Sequence, residues 1–264
     1  METVKPELLQ AVILSKDEEP NLQRVLAKLT WLDRVVIVDS FSTDATLAIA
    51  ASFPNVTLVQ RVFDTHAGQW NYGLSLADSK WILSLDSDYV LTDEFIAETR
   101  RFIQADDKVA YDTNFKFLVF GKELKGNNTT PRPVLFKKEF CSYYDDGHTQ
   151  RLRINGDTGV YKSIILHDDR KSLTRWLSNQ AKYSQKESDK LLNADPETLG
   201  FSSKVRKNKV VAPIFVFFYS LFVKGLIFDG WAGWHYTLQR TMLEMLVAMR
   251  LVEEENLKGN SHAK

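Results

Sequence analysis

The decisive stretch of this chain is Trp81-Ile82-Leu83-Ser84-Leu85-Asp86-Ser87-Asp88, an apolar run that ends in two carboxylates two residues apart. At the carboxyl end of a strand in an open α/β sheet, side chains point into the crevice where ligands bind. Two carboxylates there form a hard-oxygen site for Mg²⁺ or Mn²⁺, which completes its coordination with water and substrate phosphates. The stretch therefore predicts a metal–diphosphate site at the tip of a central strand.

On both sides of this strand, short apolar strands alternate with helices. We predict strands over 11–14, 34–38, 56–59 and 81–85, and helices after Asn21 and over 45–52, 71–76 and 93–104. Asn21 and Thr92 are the expected N-caps of two of these helices. The alternation predicts an α/β fold with a mostly parallel sheet and helices on both faces.

After about residue 107 the pattern changes. Segments 109–111, 115–120 and 133–136 read as antiparallel strands, 126–131 as a loop or turn, and 164–166 as a further short strand. A polar helix over 172–192 follows. We expect one domain over 1–171, in which a first half to about 107 precedes a second half over 108–171, and a helical region over 172–264.

The composition excludes some classes of protein. Among 264 residues, 34 basic and 34 acidic side chains give zero net charge, so no basic field favours nucleic acid. Cys141 is the single cysteine, which indicates a reducing compartment. The first ten residues lack the apolar core of a signal peptide. We therefore expect a cytoplasmic protein.

The last third of the chain predicts contact with a membrane. Between Phe201 and Lys224 there are five basic residues and no acidic one, and 210–223 is an apolar and aromatic run. About fourteen residues are too few for a spanning helix, which needs roughly 20. A helix that lies at the membrane interface behind the basic segment fits better. The alternative is a core helix buried under the helix predicted over 236–252.

Other polar residues follow predicted strands. Asp39 ends an apolar strand, and we expect it to bind a nucleobase or ribose in the same crevice. Asp44 is expected to hold a turn or to cap the following helix. His167 closes a later strand beside Arg170, where it is either a metal ligand or a structural residue.

A second carboxylate pair, Asp145 and Asp146, lies in what reads as a Gly147-containing loop. Such a carboxylate suits the role of general base toward an acceptor hydroxyl, with Asp146 preferred because it adjoins the glycine; a surface turn is the alternative. Arg132, between two prolines, could reach phosphate or acceptor or form a surface ion pair.

Several of these segments together resemble glycosyltransferase family 2. Segment 12–21, followed by Val36-Ile37-Val38-Asp39-Ser40-Phe41-Ser42-Thr43-Asp44, looks like the opening of that family. Gln69-Trp70-Asn71 resembles its Q-R-N segment, and Asp86-Ser87-Asp88 stands where the family carries D-x-D. Segments 165–176 and 229–233 resemble the lipopolysaccharide-core glucosyltransferase branch.

This resemblance implies a GT-A fold and an inverting transfer of sugar from a nucleotide-diphosphate sugar to an acceptor hydroxyl on a glycan or glycolipid. It implies that 1–171 is the catalytic domain, with a nucleotide half to about 107 and an acceptor half over 108–171. It implies that Mg²⁺ or Mn²⁺ is bound by Asp88, with Asp86 near the ribose or metal and His167 completing the site. Together with the reading of the individual residues, it gives the set expected at the nucleotide sugar: Ser15, Lys16, Glu18, Asp39, Gln69, Asn71, Asp86, Ser87, Arg132 and Arg170.

The sequence departs from the family at two positions. Gln150 stands where many members have a glutamate, which moves the expected base to Asp146, and Asp17 replaces a usual asparagine. Two other functions remain: a membrane-recruited sugar-nucleotide-binding protein with a degenerate site, and a nucleotidyltransferase. The second is disfavoured because 11–21 contains no glycine for a phosphate loop.

Overall fold

The computed structural model describes residues 8–128, 131–146, 149–195 and 199–261. The chain forms two compact units. The first comprises the residues up to Gly121 together with 128–170. The second comprises Lys122–Asn127 and the residues from Lys171 onward.

Within the described residues, eleven strands run in chain order as β1 Leu9–Ser15, β2 Val35–Asp39, β3 Val56–Gln60, β4 Trp81–Asp86, β5 Tyr89–Leu91, β6 Ala110–Val119, β7 Lys122–Asn128, β8 Arg132–Lys137, β9 Cys141–Asp146, β10 Thr149–Ile154 and β11 Thr158–His167. The main sheet has the order β3-β2-β1-β4-β8-β6-β11-β5, and β9 pairs with β10 as a separate antiparallel hairpin. The α/β prediction is confirmed. The sheet is mixed: β1 to β4 are mutually parallel, and β8 runs antiparallel to both β4 and β6.

The helices are α1 Leu22–Ala27, α2 Thr46–Ala51, α3 His66–Leu76, α4 Asp93–Ala105, α5 Leu173–Asn193, α6 Phe201–Lys207, α7 Val211–Phe218 and α8 Gly230–Ser261. A π-helical turn spans Tyr219–Val223, and 3-10 turns span Lys138–Phe140 and Leu226–Asp229. Thr92 caps α4 as predicted, since its hydroxyl accepts a hydrogen bond from the Phe95 amide at 3.1 Å.

Two apolar clusters cover the two faces of the parallel strands. Successive strand residues point to opposite faces. Ala11 and Ile13 therefore pack in one cluster with α1, α2 and α4, whereas Val12 lies in the other with α3. Burial on both faces explains why these strands read as unbroken apolar runs. The prediction of helices on both faces is confirmed.

Three local predictions were wrong. Residues 126–128, expected in a loop, belong to β7, and Asp145 lies on β9 instead of in a loop. Gly147 and His148 lie outside the described residues. Asn21 precedes α1 but its side chain does not cap it; the amide donates instead to Glu18 and Asp169, each at 3.0 Å.

The second unit has its own core, in which Leu191 of α5 packs against Leu243 and Val247 of α8. Arg206 joins three of its helices, since it donates to Glu187 of α5 and to Glu244 of α8, each at 2.8 Å. The predicted helical extension is confirmed. No single helix in the described ranges has the length and apolar character needed to cross a membrane; Val211–Val223 and Leu226–Leu257 meet these requirements only as a pair, bent by 69°.

Close backbone approaches explain two glycines of this unit, Gly126 and Gly233. A Cβ on Gly126 would lie 1.9 Å from the Lys224 carbonyl oxygen, and one on Gly233 would lie 1.8 Å from that of Leu226. The buried carboxylate of Asp229 accepts a hydrogen bond from the Gly126 amide at 3.1 Å. Segment 229–233 therefore has a structural role here: it joins α8 to the preceding turn and to β7.

Candidate functional site

Two loops at the carboxyl ends of β1 and β2 are joined by hydrogen bonds. The Asp17 amide donates to the Ser42 hydroxyl and the Glu18 amide to that of Thr46, each at 2.6 Å. Asp44 accepts from the Thr46 amide at 3.0 Å, which confirms its predicted turn role. Asp17 has a φ of 51°, a left-handed conformation in which Asn and Asp are the favoured non-glycine residues. The loop after β1 and the loop after β2, which carry two of the family-like sequence motifs, are thus held against each other.

A cavity of about 970 Å³ opens at the carboxyl ends of β1 and β4. Of the residues expected at the site, nine line it: Ser15, Lys16, Glu18, Gln69, Asp86, Ser87, Asp88, Arg132 and His167. Ser87 fixes the tip of β4 to β1, because its hydroxyl donates to the Leu14 carbonyl oxygen at 2.7 Å. A cavity of this size matches a small-molecule or cofactor site.

Asp88 and His167 lie next to each other in the cavity wall. His167 Nε2 is 3.2 Å from Asp88 Oδ2, and the two residues come from segments far apart in the chain. Burial alone would lower the pKa of His167, but attraction to Asp88 and the hydrogen bond to it outweigh burial and raise that pKa above its ordinary value. The pair places a carboxylate oxygen and an imidazole nitrogen together at the strand tips.

Asp86 has a different environment. Burial and then repulsion from Asp88 raise its pKa, although a hydrogen bond from the Tyr89 hydroxyl partly offsets this. Burial likewise raises the pKa of Tyr89, and Asp86 adds to the effect. A cation bound in this cavity would favour the ionised forms of the Asp86 and Asp88 carboxyl groups.

A buried carboxylate supports the segment that carries His167. Asp168 is 2% exposed and accepts hydrogen bonds from Arg24 at 2.9 Å, from Arg170 at 2.8 Å and from the Gly121 amide at 3.1 Å. Its own amide donates to the Asp88 carbonyl oxygen at 3.2 Å. Asp168 thus fixes the backbone beside both members of the Asp88–His167 pair.

Aromatic residues that we did not predict form another part of the cavity wall. Trp70 stacks on Tyr143 with ring centroids 5.2 Å apart, and the Tyr143 hydroxyl lies 2.6 Å from that of Ser84. Phe63 and His66 line the cavity as well. The only signal in the sequence was the proximity of Trp70 to the Gln69–Asn71 motif, since the pairing of α3 with β9 is a tertiary contact.

Three expected binding residues are absent from the residues that line the cavity. Asp39 is fully buried and accepts hydrogen bonds from the Ser42 amide at 2.8 Å and from Gln60 at 3.2 Å. Asn71 bonds the backbone of Tyr143 with both ends of its amide, at 2.8 and 3.0 Å. Arg170 is engaged with Asp168. In this structure these side chains hold the walls of the cavity.

The two candidate bases lie on β9. The Asp145 carboxylate accepts a hydrogen bond from the Ala67 amide, in the first turn of α3, at 3.2 Å. Asp146 ends the strand, and its side chain is outside the described part of the structure. Gln150, Arg151 and Leu152 of the paired strand β10 line the cavity, so the hairpin contributes to its wall.

The side chains of the cavity supply two of the ligands that a hard divalent cation requires. Within the described ranges, no three His, Cys, Asp or Glu side chains converge closely enough to hold a metal ion. Asp88 and His167 supply two potential ligands. Two protein ligands suffice for Mg²⁺ or Mn²⁺ when phosphate oxygens and water supply the others. The cavity is therefore suited to a cation that arrives with a diphosphate.

Comparison with known proteins gives a family match. The model of the family described as "Glycosyl transferase family 2" matches residues 11–193. Among curated relatives, an uncharacterized glycosyltransferase of Rickettsia bellii is 26% identical over 171 residues, which are 61% of this chain and 53% of the relative. One of Rickettsia felis is 27% identical over 147 residues, 52% of this chain and 50% of the relative. The chain thus spans about half the length of these relatives.

Solved structures show more distant likeness. TarS 1-349 of S. aureus in complex with UDP-GlcNAc aligns with a TM-score of 0.49 and 14% identity, covering 95% of this chain and 92% of TarS. Glucosyl-3-phosphoglycerate synthase from Mycobacterium tuberculosis, in complex with Mn²⁺, UDP and phosphoglyceric acid, aligns with a TM-score of 0.44 and 13% identity, covering 68% of this chain and 78% of that one.

Proposed function

The chain belongs to glycosyl transferase family 2, and from this premise we propose that this glycosyltransferase moves a sugar from a nucleoside-diphosphate sugar to an acceptor hydroxyl with inversion. The observation that carries the proposal is the Asp88–His167 pair in the wall of a cavity at the carboxyl ends of parallel strands. Lys16 and Arg132 line the same cavity and bring positive charge for a diphosphate.

We assign the cation site to Asp88 and His167, with Asp86 as a neighbouring charge. A bound Mg²⁺ or Mn²⁺ would act as a Lewis acid that neutralises charge on the leaving diphosphate. Asp168 keeps the backbone of both ligands in place through its contacts with Arg24 and Arg170. Trp70 and Tyr143 offer an apolar surface for the donor's rings.

We assign the role of general base to Asp146. In an inverting transfer the base takes the acceptor proton while the hydroxyl oxygen attacks the anomeric carbon and the bond to the diphosphate breaks. Asp145 is the weaker candidate because it already accepts the Ala67 amide. The position of Asp146 at the end of β9, on the hairpin whose other strand lines the cavity, supports this choice.

We further propose that the acceptor is a lipid-linked glycan, of which the core of lipopolysaccharide is one example, met on the cytoplasmic face of the inner membrane. The support is the sequence likeness of 165–176 to the core glucosyltransferases and the exposed apolar surface of the second unit. Segment 229–233, which also resembles the core glucosyltransferases, packs within the second unit, and this packing does not depend on which acceptor the enzyme uses.

A panel of nucleotide sugars, tested with and without Mn²⁺, identifies the donor through release of nucleoside diphosphate.

Asp88→Ala should lower the rate of sugar transfer by at least about a hundredfold, because several kcal/mol of charge stabilisation are lost. It should also remove the Mn²⁺ dependence of nucleoside-diphosphate binding in calorimetry. Asp157→Ala, which removes an exposed carboxylate of the same unit, is the matched control. Normal turnover by a folded Asp88→Ala protein would refute the metal assignment.

The base is tested separately. Asp146→Asn should retain nucleotide binding and lose transfer to the acceptor, whereas Asp145→Asn should keep most of the transfer rate. Full transfer by Asp146→Asn would place the base elsewhere. Nucleotide binding by the wild-type protein without turnover of any donor would instead favour a sugar-nucleotide-binding protein with a degenerate site.

A further inference from the structure

The helix α8 has two apolar sides, and only one of them is buried by the protein. Leu243, Val247 and Leu251 pack in the core of the second unit. On another side, a row of apolar residues spaced by three or four positions is exposed: Trp231, Trp234, Leu238, Met242, Met245, Met249 and Val252. This spacing places the row along one side of a helix, over six turns.

The segment before α8 extends this exposed surface. Ile214, Phe215 and Phe218 of α7 are exposed, as are Phe222 and Val223 of the π-helical turn. Phe228, in the following 3-10 turn, is 87% exposed. A groove of about 530 Å³ is lined by Ile214 and Phe218 from α7 and by Met245 and Met249 from α8, so the apolar surfaces of the two helices are continuous. We call this surface, formed by the exposed apolar side chains of residues 210–252, the apolar face.

Basic residues accompany the apolar face. Residues 201–224 contain five basic and no acidic side chains. The Lys224 ammonium lies 5.8 Å from the centre of the Tyr219 ring, and that of Lys122 lies 5.6 Å from the centre of the Trp231 ring. Tyr and Trp beside Lys are typical of the boundary between lipid headgroups and hydrocarbon, because the ring is amphipathic and the ammonium reaches water.

Two occupants could cover such a surface: a bilayer or a second copy of the chain. A helical seam with a second copy uses a straight row of knobs flanked by charges. Here the surface turns by 69° between Val211–Val223 and Leu226–Leu257, and Phe222 and Phe228 are exposed at that bend. A straight seam would leave these rings in water, whereas the interior of one leaflet accommodates them. Of the five basic residues of 201–224, Arg206 and Lys209 pair with glutamates of α5 and α8. The positive charge of Lys204, Lys207 and Lys224 also matches an anionic surface.

We propose that the apolar face is an in-plane membrane anchor that inserts into one leaflet of an anionic bilayer, with the bend around Phe222 and Phe228 inserted deepest. Lys122 and Lys224, with Lys204 and Lys207 of α6, lie at the headgroup level. The inference deepens the proposed function by bringing the enzyme to a lipid-borne acceptor, and rests on it only for that acceptor. Membrane binding itself needs neither donor nor metal.

Co-sedimentation of the full chain with vesicles tests the anchor. We expect binding to vesicles of phosphatidylcholine with phosphatidylglycerol, and weaker binding to phosphatidylcholine alone or at high salt. Phe222→Glu/Phe228→Glu should weaken binding at least about tenfold, since each change replaces an apolar ring that would leave water with a charged group. Leu238→Glu/Met245→Glu should also weaken it. Val160→Glu, at an exposed apolar site in the first unit, is the matched control and should bind as the wild type does.

Brominated lipids test the depth of insertion. They should quench tryptophan fluorescence in the wild type but not in Trp231→Phe/Trp234→Phe, although that variant should still sediment with vesicles. Wild-type binding that the Phe222/Phe228 change leaves intact would overturn the proposal. So would a wild-type dimer that this change dissociates, without vesicle binding. Release of nucleoside diphosphate, measured in detergent without vesicles, tests the proposed function separately. Normal release without vesicle binding would contradict only the anchor, and vesicle binding without release would contradict only the proposed function.

Discussion

At the scale of single residues, Cys141 shows how burial alone controls reactivity. It begins β9 and packs against the apolar cluster that contains Trp70, and this burial raises the pKa of its thiol to about 12. At pH 8 only about one thiol in ten thousand would then be the reactive thiolate. We expect iodoacetamide to alkylate the native protein far more slowly than the urea-unfolded protein, as measured by intact mass. Equal rates in the two states would contradict this burial.

Asp39 is the second prediction at this scale. Its buried carboxylate accepts bonds from Ser42 and Gln60, so Asp39→Ala removes the acceptor from several donors at once. We expect the free energy of unfolding to fall by about 1–3 kcal/mol. Urea unfolding followed by tryptophan fluorescence measures the change, and Asp33→Ala, at an exposed carboxylate, is the control. Unchanged stability together with weaker donor binding would support the prediction that Asp39 binds the donor.

At the scale of elements, a carboxylate of α4 stabilises an irregularity in β11. Between Val160 and Ile164 the register of β11 against β6 shifts. The amides of Lys162 and Ser163 in this segment donate to Glu98 at 3.1 and 2.9 Å, and the Ser163 hydroxyl donates to it at 2.7 Å. Glu98→Gln should therefore lower the free energy of unfolding by about 1–3 kcal/mol. Glu139→Gln, at an exposed site, should leave it unchanged.

The contribution of Glu98 should also depend on pH. Burial alone would raise its pKa, but the bonds from Ser163 and Lys162 outweigh burial and lower the pKa below its ordinary value of 4.5. A group whose pKa is lowered by folding stabilises fully above its unfolded pKa and loses that contribution as pH falls through the folded value. The stability difference between wild type and Glu98→Gln should be constant from pH 7 to 5 and shrink below about 4.5. A difference that grows in acid would contradict the assignment.

Elements of the nucleotide half could be predicted from the sequence because their signals are local. An apolar run followed by carboxylates specifies β4 and its tip, and Thr92 specifies the start of α4. β9 could not be recognised, because Tyr143 is held in place by Asn71 and Trp70 of α3, and such partners are invisible along the chain. For the same reason, the sequence placed Asp39 and Asn71 near the cavity but could not show that their polar atoms bond to the protein.

At the scale of the whole molecule, each of the two units has a separate core. The first unit packs helices against both faces of the sheet, and the second packs Leu191 of α5 against Leu243 of α8. Sequence periodicity could not distinguish the side of α8 that is buried in the second core from the apolar side that is exposed. A helix with apolar residues on two sides shows no single amphipathic stripe. The same pattern that suggested membrane contact thus also contained the residues of a core.

The buried ion triad of the second unit provides a test of this division. Arg206→Leu deprives Glu187 and Glu244, each 2% exposed, of the guanidinium that both carboxylates bond. Removal of one member of a buried ion cluster costs about 3–5 kcal/mol, whereas replacement of all members by apolar residues is often neutral. We expect circular dichroism to show helix loss at a lower urea concentration in Arg206→Leu than in the wild type. The triple variant Arg206→Leu/Glu187→Leu/Glu244→Leu should recover most of the difference.

Because the cavity belongs to the other unit, nucleoside-diphosphate binding should survive in Arg206→Leu at urea concentrations where its helix content has already fallen. Simultaneous loss of binding and helix content would show that the two units unfold together.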